Sequence, residues 1–425
     1  MPPPTPTPIP TQERVTPPCP HFGPCGGCQL QDLTYSAQLA LKAEQLGTSL
    51  ESAGLTLPDL QIHTSPPFEY RNRIRLTLAE VDGQLRAGYL SRRNDSKSRS
   101  ASAVSDEGDD PESPSGSFSF LPITQCPIAA SILWRTAEAF LKLINGEPNL
   151  WMRNPQFKFD QLELFTTADE SALQFTIYLR TASKTLPNKL ATAFAALCED
   201  LRCHIPELNG AGISLLPALS ARSRRAEQPR PGPSWGSPGL NYAIPTTNNQ
   251  QLTTSYWIPR GAFFQVNRFL PPELLELATA NRTGALAWDL YAGVGLFSRV
   301  LAASFAHVTA VEIAEPAVTA LASTKLANLR AVKSTTLDFL HSSVIERDRP
   351  GLIVIDPPRT GAGVEVCGLL ARIAAPTVVF VSCSPETLPT DLAILTASGY
   401  RVTELHLFDL FPQTSHIETV AILTR

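Results

Sequence analysis

Leu286-Ala287-Trp288-Asp289-Leu290-Tyr291-Ala292-Gly293-Val294-Gly295-Leu296-Phe297 reads as an apolar strand running straight into a glycine-bearing turn. Glycines there permit positive φ and let the backbone approach a bound group without a Cβ in the way. Only two are present, so the dinucleotide fingerprint G-x-G-x-x-G fails at its third glycine. From about Leu252 onward, β and α patterns alternate around this turn. Strands are expected over 286–290, 308–313, 352–355 and 377–381, and helices over 296–303, 364–374 and 388–397. Such alternation specifies a parallel sheet covered by helices. The last apolar runs, 402–410 and 418–423, have no helix between them and are expected to pair antiparallel.

In open α/β sheets ligands bind at the carboxyl ends of the strands, and several reactive side chains fall there. Glu312 ends the strand after the glycine turn, where an acid can accept hydrogen bonds from both ribose hydroxyls; its plainer role is a helix cap or a solvated acid. NAD and S-adenosylmethionine both suit this loop and acid, which do not choose between them. Asp356-Pro357-Pro358-Arg359 follows the strand 352–355, and its prolines stiffen the turn. Cys383, in Phe380-Val381-Ser382-Cys383-Ser384-Pro385, again sits at a strand's carboxyl end. A buried cysteine is ordinarily an inert small hydrophobe, but one at this edge is a candidate nucleophile. Glu418, in His416-Ile417-Glu418, opens the last strand as a candidate general base or a surface acid.

The 425-residue chain is 43% hydrophobic and 17% charged, a globular composition, with 35 Lys+Arg against 39 Asp+Glu for a net charge of −4. That balance argues mildly against a nucleic-acid partner, although charge is segregated. Asp106, Glu107, Asp109, Asp110 and Glu112 gather in one stretch, while Arg71, Arg73 and Arg75 alternate along an expected strand and would share a face. No apolar run is long enough to cross a bilayer and no signal peptide is evident, so a cytoplasmic location is expected. A three-part organisation follows. Residues 1–18 form a Pro-rich disordered tail, 19–250 a mainly antiparallel β domain, and 251–425 the α/β domain. The middle section opens on Cys19, Cys25 and Cys28, whose close spacing suggests a metal site in a reducing compartment. A helix over 34–53 follows, with Leu39, Ala43, Leu46 and Leu50 on one face; it is expected to reach the α/β domain. Next come a hairpin turning at Asp82-Gly83, a loop over 92–117, a helix over 129–143, strands over 161–165 and 172–179, and an exposed loop over 221–239.

A parallel sheet closed by an antiparallel hairpin is the layout of class I, Rossmann-like S-adenosylmethionine-dependent methyltransferases. Five segments together resemble the RNA uracil-5-methyltransferases, which make 5-methyluridine in 23S ribosomal or transfer RNA: Phe263–Asn267, Asp289–Phe297, Asp356–Gly361, Ser382–Pro385 and His416–Glu418. The resemblance implies that Cys383 adds to uracil C6, that C5 then takes the methyl group of S-adenosylmethionine, and that Glu418 removes the C5 proton. It implies that the site lowers the Cys383 pKa, since the thiolate is the reactive form. It assigns Gln265, Tyr291, Glu312, Asp338 and Asp356 to the cofactor. Iron–sulfur members of the family have a cysteine set resembling Cys19, Cys25, Cys28 and Cys126, implying a [4Fe–4S] cluster, with zinc as the competing metal. The residues before Cys19 are too few for the small RNA-binding β-barrel of many relatives, so that domain is expected to be missing. Phe263 and Phe264 are candidates to stack on a flipped base, or to fill the core, and Arg71, Arg73, Arg75, Arg222, Arg224 and Arg225 to contact phosphate. A monomer is expected.

Two other readings compete. An amino-directed nucleic-acid methyltransferase of the same fold usually carries an aromatic residue where Arg359 stands and needs no cysteine. A non-catalytic RNA-binding iron–sulfur protein would need neither Cys383 nor Glu418.

Overall fold

The computed structural model describes residues 13–92, 118–146, 157–183, 188–218, 229–245, 253–279, 281–346 and 349–425. The expectations placed on the start of the tail, on the loop 93–117 and on Arg222, Arg224 and Arg225 lie outside the described residues. Chain order begins with α1 (Tyr35–Ser52) and β1 (Leu60–His63). The first sheet then uses β2 (Arg73–Val81), β3 (Gln84–Arg92), β4 (Phe118–Pro122), β5 (Lys158–Thr166), β6 (Leu173–Thr181), β7 (Leu208–Pro217) and β8 (Arg230–Gly236). Its order is β4-β3-β2-β5-β6-β7-β8. The expected hairpin is present, and Asp82 and Gly83 take φ values of 52° and 75°, as a two-residue primed turn requires.

Two helices, α2 (Ser131–Gly146) and α3 (Asn188–His204), cover one face of that sheet. Ile132, Leu133, Phe140, Phe194 and Leu201 pack there against Ile74, Leu76, Leu162, Leu164 and Ile177. Strand alternation sends Arg73, Arg75, Glu163 and Tyr178 to the opposite face. The region is less purely antiparallel than expected, because β6, α3 and β7 form a parallel crossover. The expected loop over 221–239 also needs correction. Residues 230–236 are β8, paired with β7, and β9 (Gly239–Pro245) follows at once. Proline and glycine masked these strands because β8 is an edge strand, the one place where a missing N–H costs no ladder bond.

β9 pairs with β10 (Thr253–Pro259), and their Leu240, Tyr242, Ile244, Tyr256 and Ile258 join the core under the second sheet. That sheet comprises β1, β11 (Gly284–Leu290), β12 (Phe305–Glu312), β13 (Leu329–Lys333), β14 (Leu352–Ile355), β15 (Thr377–Ser382), β16 (Arg401–Phe408) and β17 (Glu418–Thr424). The order is β1-β16-β17-β15-β14-β11-β12-β13, with β17 antiparallel to both neighbours. The helix expected over 296–303 contracts to the turn Ser298–Leu301. Helices α4 (Pro271–Thr279), α5 (Glu315–Ala322), α6 (Thr336–Glu346), α7 (Gly363–Ile373) and α8 (Leu388–Ala397) complete this half.

The boundary at 251 is crossed from both sides. β1 pairs parallel with β16 at the sheet's edge, and α1 packs Leu46 and Leu50 into the core beneath α7 and α8. The buried face of α1 is rotated by one residue from the expected one: Gln38, Lys42, Leu46 and Leu50 are buried, while Leu39 and Ala43 are only partly so. The two polar residues bury because they have partners. Lys42 Nζ donates to Asp409 Oδ1 at 2.6 Å and to the Phe411 carbonyl at 3.0 Å. Gln38 donates to Gln413 Oε1 at 3.0 Å and accepts from its backbone N–H at 2.9 Å. Burial pulls the Lys42 pKa down and the Asp409 charge opposes that pull.

Candidate active site

The reactive side chains expected at strand ends converge on the carboxyl edge of the second sheet. In the β15–β17 ladder Ser382 faces Thr419, so the next pair outward is Cys383 opposite Glu418. Asp356 follows β14 on the neighbouring strand, its N–H donating to the Leu290 carbonyl at 3.3 Å. Glu418 is 3% exposed; Cys383 and Asp356 are half-buried.

Electrostatics at this edge run against one expectation. The Cys383 thiol is pushed up to about 11, not lowered, chiefly by burial and then by the charges of Glu418 and Asp356. Arg359 is the opposing positive charge, and it acts on Cys383, Glu418 and His416 alike. Burial holds Glu418 well above the carboxylate range, with Asp356 adding to the rise. Burial raises Asp356 as well. Two nearby carboxyl groups that both resist ionisation tend to share a proton.

This makes a testable prediction for the ligand-free protein. With its pKa near 11, Cys383 should be alkylated by iodoacetamide far more slowly at pH 7 than an ordinary thiol, by about two orders of magnitude. The rate should climb about tenfold per pH unit into the alkaline range, since only the thiolate reacts. Peptide mass spectrometry resolves Cys383 from the other cysteines, and a rate that levels off below pH 8 contradicts the raised pKa.

On the cofactor side, Tyr291 holds φ at 61°, an uncommon conformation for a residue with a side chain, of the kind often found at ligand sites. Nothing lies within 4 Å of where a Cβ on Gly293 would stand, so that face of the turn is open. Glu312 both caps and tethers: Oε1 accepts from the N–H groups of Ile313 (2.8 Å) and Ala314 (2.7 Å), and Oε2 from Gly293 at 2.9 Å. Asp338 stands in the first turn of α6, exposed, accepting from the Thr335 hydroxyl at 2.6 Å. Gln265 is buried, and its carbonyl accepts from Asn72 Nδ2 at 2.9 Å. The Phe pair divides: Phe263 is 70% exposed, while Phe264 is 3% exposed among Tyr242, Tyr256 and Phe165.

Two carboxylates at the edge were not singled out from sequence. Asp289 is buried and accepts from the Ser298 N–H at 2.8 Å and from its hydroxyl, while its Oδ1 has no partner among the described residues. Burial pushes it up to about 7, against the Ser298 bonds and with help from Asp356 and Glu312. Its place in the quoted loop was a usable signal. Asp391 on α8 accepts from Ala362 (2.8 Å) and Gly363 (3.0 Å), pinning the turn that follows Arg359; no sequence pattern marks it.

Cys19, Cys25, Cys28 and Cys126 line one cavity of about 270 Å³, together with Arg71 and His416. Among the described residues no three His, Cys, Asp or Glu side chains are placed to hold a metal ion. Arg71 therefore faces thiols and does not share the sheet face of Arg73 and Arg75. That correction arises because Arg71 precedes β2, bridging Ala129 and Asn267. Arg73 and Arg75 both pair with Glu163, so neither is a free cation. The cavity wall is tied to the carboxyl edge of the second sheet: the Gln29 and Leu30 N–H groups both donate to the Gln413 carbonyl at 3.0 Å.

Comparison with known proteins agrees with this architecture. Residues 246–425 match the family model described as tRNA (uracil-5-)-methyltransferase. An uncharacterized RNA methyltransferase of Thermotoga maritima is 28% identical, over 98% of this chain and 86% of its own length. The 23S rRNA (uracil(1939)-C(5))-methyltransferase of Chromohalobacter salexigens is 29% identical, over 97% of this chain and 77% of its own. Among solved structures, the Pyrococcus abyssi tRNA (uracil-54, C5)-methyltransferase in complex with S-adenosyl-L-homocysteine superposes with a TM-score of 0.66. It covers 95% of this chain and 86% of that one at 20% identity, a likeness of fold.

Proposed function

We propose that the chain is an RNA uracil-5-methyltransferase, as the family match over residues 246–425 and the RNA-methyltransferase relatives support, and that it methylates C5 of a uridine in RNA through a covalent adduct on Cys383. The observation that carries this reading is Cys383 standing opposite Glu418 across the β15–β17 ladder, with Asp356 beside them. Uracil C5 is too weak a nucleophile to attack a methyl donor unaided. Addition of the Cys383 sulfur to C6 moves the C5–C6 π electrons toward O4 and makes C5 an enolate carbon. C5 would then bond to the methyl group as the methyl–sulfonium bond of S-adenosylmethionine breaks, its electron pair staying on sulfur and S-adenosylhomocysteine leaving. Glu418 takes the C5 proton, the C5–C6 double bond re-forms, and the C6–S bond breaks to return the thiolate. Because the thiol is protonated in the ligand-free site, its proton must leave as uracil docks. That proton leaves to solvent, because Glu418 must be ionised to take the C5 proton, and Arg359 supplies the positive charge that favours both the thiolate and the Glu418 carboxylate.

S-adenosylmethionine supplies an electrophilic methyl on a positively charged sulfur. Asp289, Glu312, Asp356 and Glu418 give the site edge a carboxylate-rich character. A cation there favours ionisation of these crowded carboxyl groups, whereas the anionic pyrophosphate of NAD opposes it, and the missing third glycine also disfavours NAD. Gln265, Tyr291, Glu312, Asp338 and Asp356 are the residues proposed to hold it. Phe263 is proposed to stack on a base, and the β-sheet half to bind the RNA around it.

As the substrate we propose 23S ribosomal RNA, the RNA named for the Chromohalobacter relative. Transfer RNA, named by the family model, is the second reading. Methyl transfer from labelled S-adenosylmethionine to each transcript, followed by nucleoside analysis for 5-methyluridine, tests the activity and separates the two.

Cys19, Cys25, Cys28 and Cys126 are proposed to hold a [4Fe–4S] cluster. A cavity walled by four thiols with a facing guanidinium suits a multi-atom cluster of net negative charge, whereas the thiols are not gathered tightly enough for a single ion. Protein purified without oxygen should contain about four irons and four sulfides per chain, lost in Cys25→Ser. Stoichiometric zinc in their place rejects the cluster.

A further inference from the structure

On the sheet face opposite α2 and α3, a second cavity of about 280 Å³ has a different chemistry. Ala211, Ile213 and Leu215 point into the helix-covered core, so alternation turns Gly212 and Ser214 to the open face. The Arg260 guanidinium lies flat against Gly212, where a Cβ would stand 2.7 Å from its Cζ. Only glycine leaves that space. Arg260 Nη1 is buried and has no hydrogen-bond partner among the described residues. Burial pulls its pKa down, and the group whose charge opposes that pull is the Cys198 thiol, itself held protonated by burial. Among the described residues no carboxylate lines the cavity, whereas Thr176, Tyr178, Ser214 and Ser234 do.

A half-buried cation whose Nη1 has no partner among the described residues, set beside hydroxyl-bearing side chains, is an unfavourable arrangement in the free protein and a favourable one around an anion. The acid adjoining Tyr178, Glu163, is already shared by Arg73 and Arg75, so the surrounding face keeps a positive balance. Arg75 also donates to the Tyr178 hydroxyl at 3.0 Å, linking that pair to the cavity wall. Three residues beyond Arg260, past a turn closed by the Ala262 N–H on the Pro259 carbonyl (3.0 Å), Phe263 projects with 70% of its surface exposed. A cation pocket next to an exposed ring is the pairing that tracks a single strand, phosphate in one and base on the other.

We propose that the Arg260 pocket binds a backbone phosphate of the substrate RNA, away from the reacting uridine. The inference rests on the RNA-methyltransferase reading above and adds to it a specific anchoring point. The experiment measures RNA affinity by fluorescence anisotropy across a salt series, with kcat and KM for methyl transfer alongside. Arg260→Gln should weaken RNA binding about tenfold or more and lower the slope of log Kd against log salt by about 0.7–0.9. The kcat at saturating RNA should hold. Gly212→Ala, which keeps the charge and displaces the guanidinium, should give the same loss, and Arg260→Lys a smaller one. Thermal stability offers an independent readout: removing a half-buried charge with no ion-pair partner among the described residues should leave the melting temperature of Arg260→Gln unchanged or higher, whereas a structural arginine would lower it. If wild-type and Arg260→Gln proteins bind RNA with equal affinity and slope, the pocket is not a phosphate site and the enzyme reading stands. Stabilisation of the wild type alone by inorganic phosphate, with RNA affinity unaffected by the substitution, overturns the RNA assignment in favour of a free anion. Wild-type protein that binds no RNA sinks the functional reading itself.

Discussion

Cys383→Ala is expected to lose methyl transfer by a factor on the order of 10⁴–10⁶, the scale seen when a covalent nucleophile is removed. The same substitution should erase the adduct that the wild-type protein forms with RNA containing 5-fluorouracil. Fluorine in place of the C5 proton cannot leave as a cation, so Glu418 has nothing to remove and the C6–S bond persists through denaturation. Cys383 is half-buried at a strand end and makes no side-chain hydrogen bond among the described residues, so the alanine protein should keep its fold. The readout is a labelled, denaturant-resistant protein–RNA band with the wild type and none with the variant. A band that survives the substitution means another residue carries the attack.

Glu418→Gln is expected to separate the two halves of the reaction. Glutamine keeps the size of a side chain that is 3% exposed and removes its ability to take a proton. Sulfur addition and methyl transfer should still occur once, while release fails, so methylated RNA accumulates on the protein with ordinary uridine as substrate. Turnover should fall by about 10²–10⁴-fold, the usual contribution of a positioned base. The sign of a second effect is fixed by the electrostatics. Glu418 is one of two carboxylates that push the Cys383 thiol up, so its neutralisation should lower that pKa and speed alkylation near pH 8. Slow turnover without a trapped adduct would show that Glu418 acts on folding or binding and not on the C5 proton.

Much of the α/β half was legible because its signals are local. Strand runs such as Leu352–Ile355 and Thr377–Ser382 are continuous apolar segments bounded by turns, and the reactive residues follow them directly. Elements whose composition was misleading were not legible. β8, built from Arg230-Pro231-Gly232-Pro233, survives as a strand only through its edge position beside β7. Gln38 and Lys42 are absent from the apolar face expected of α1, yet each is buried against the segment 409–413. Nothing within α1 announces partners 375 and 367 residues away.

By itself the sequence determined which side chains reach the carboxyl edge of the sheet. Strand period, glycine turns and the α/β alternation are properties of neighbouring residues, so Glu312, Asp356, Cys383 and Glu418 could be placed before any contact was known. Tertiary structure alone decided the environment of those groups. It set two carboxylates against Cys383 and raised its pKa, exposed Phe263 while burying Phe264, and brought Cys126 to the cavity of Cys19, Cys25 and Cys28. It also left Arg260 Nη1 beside Gly212 with no hydrogen-bond partner among the described residues. Burial and charge at a point depend on every segment packed around it, and those segments are remote in sequence.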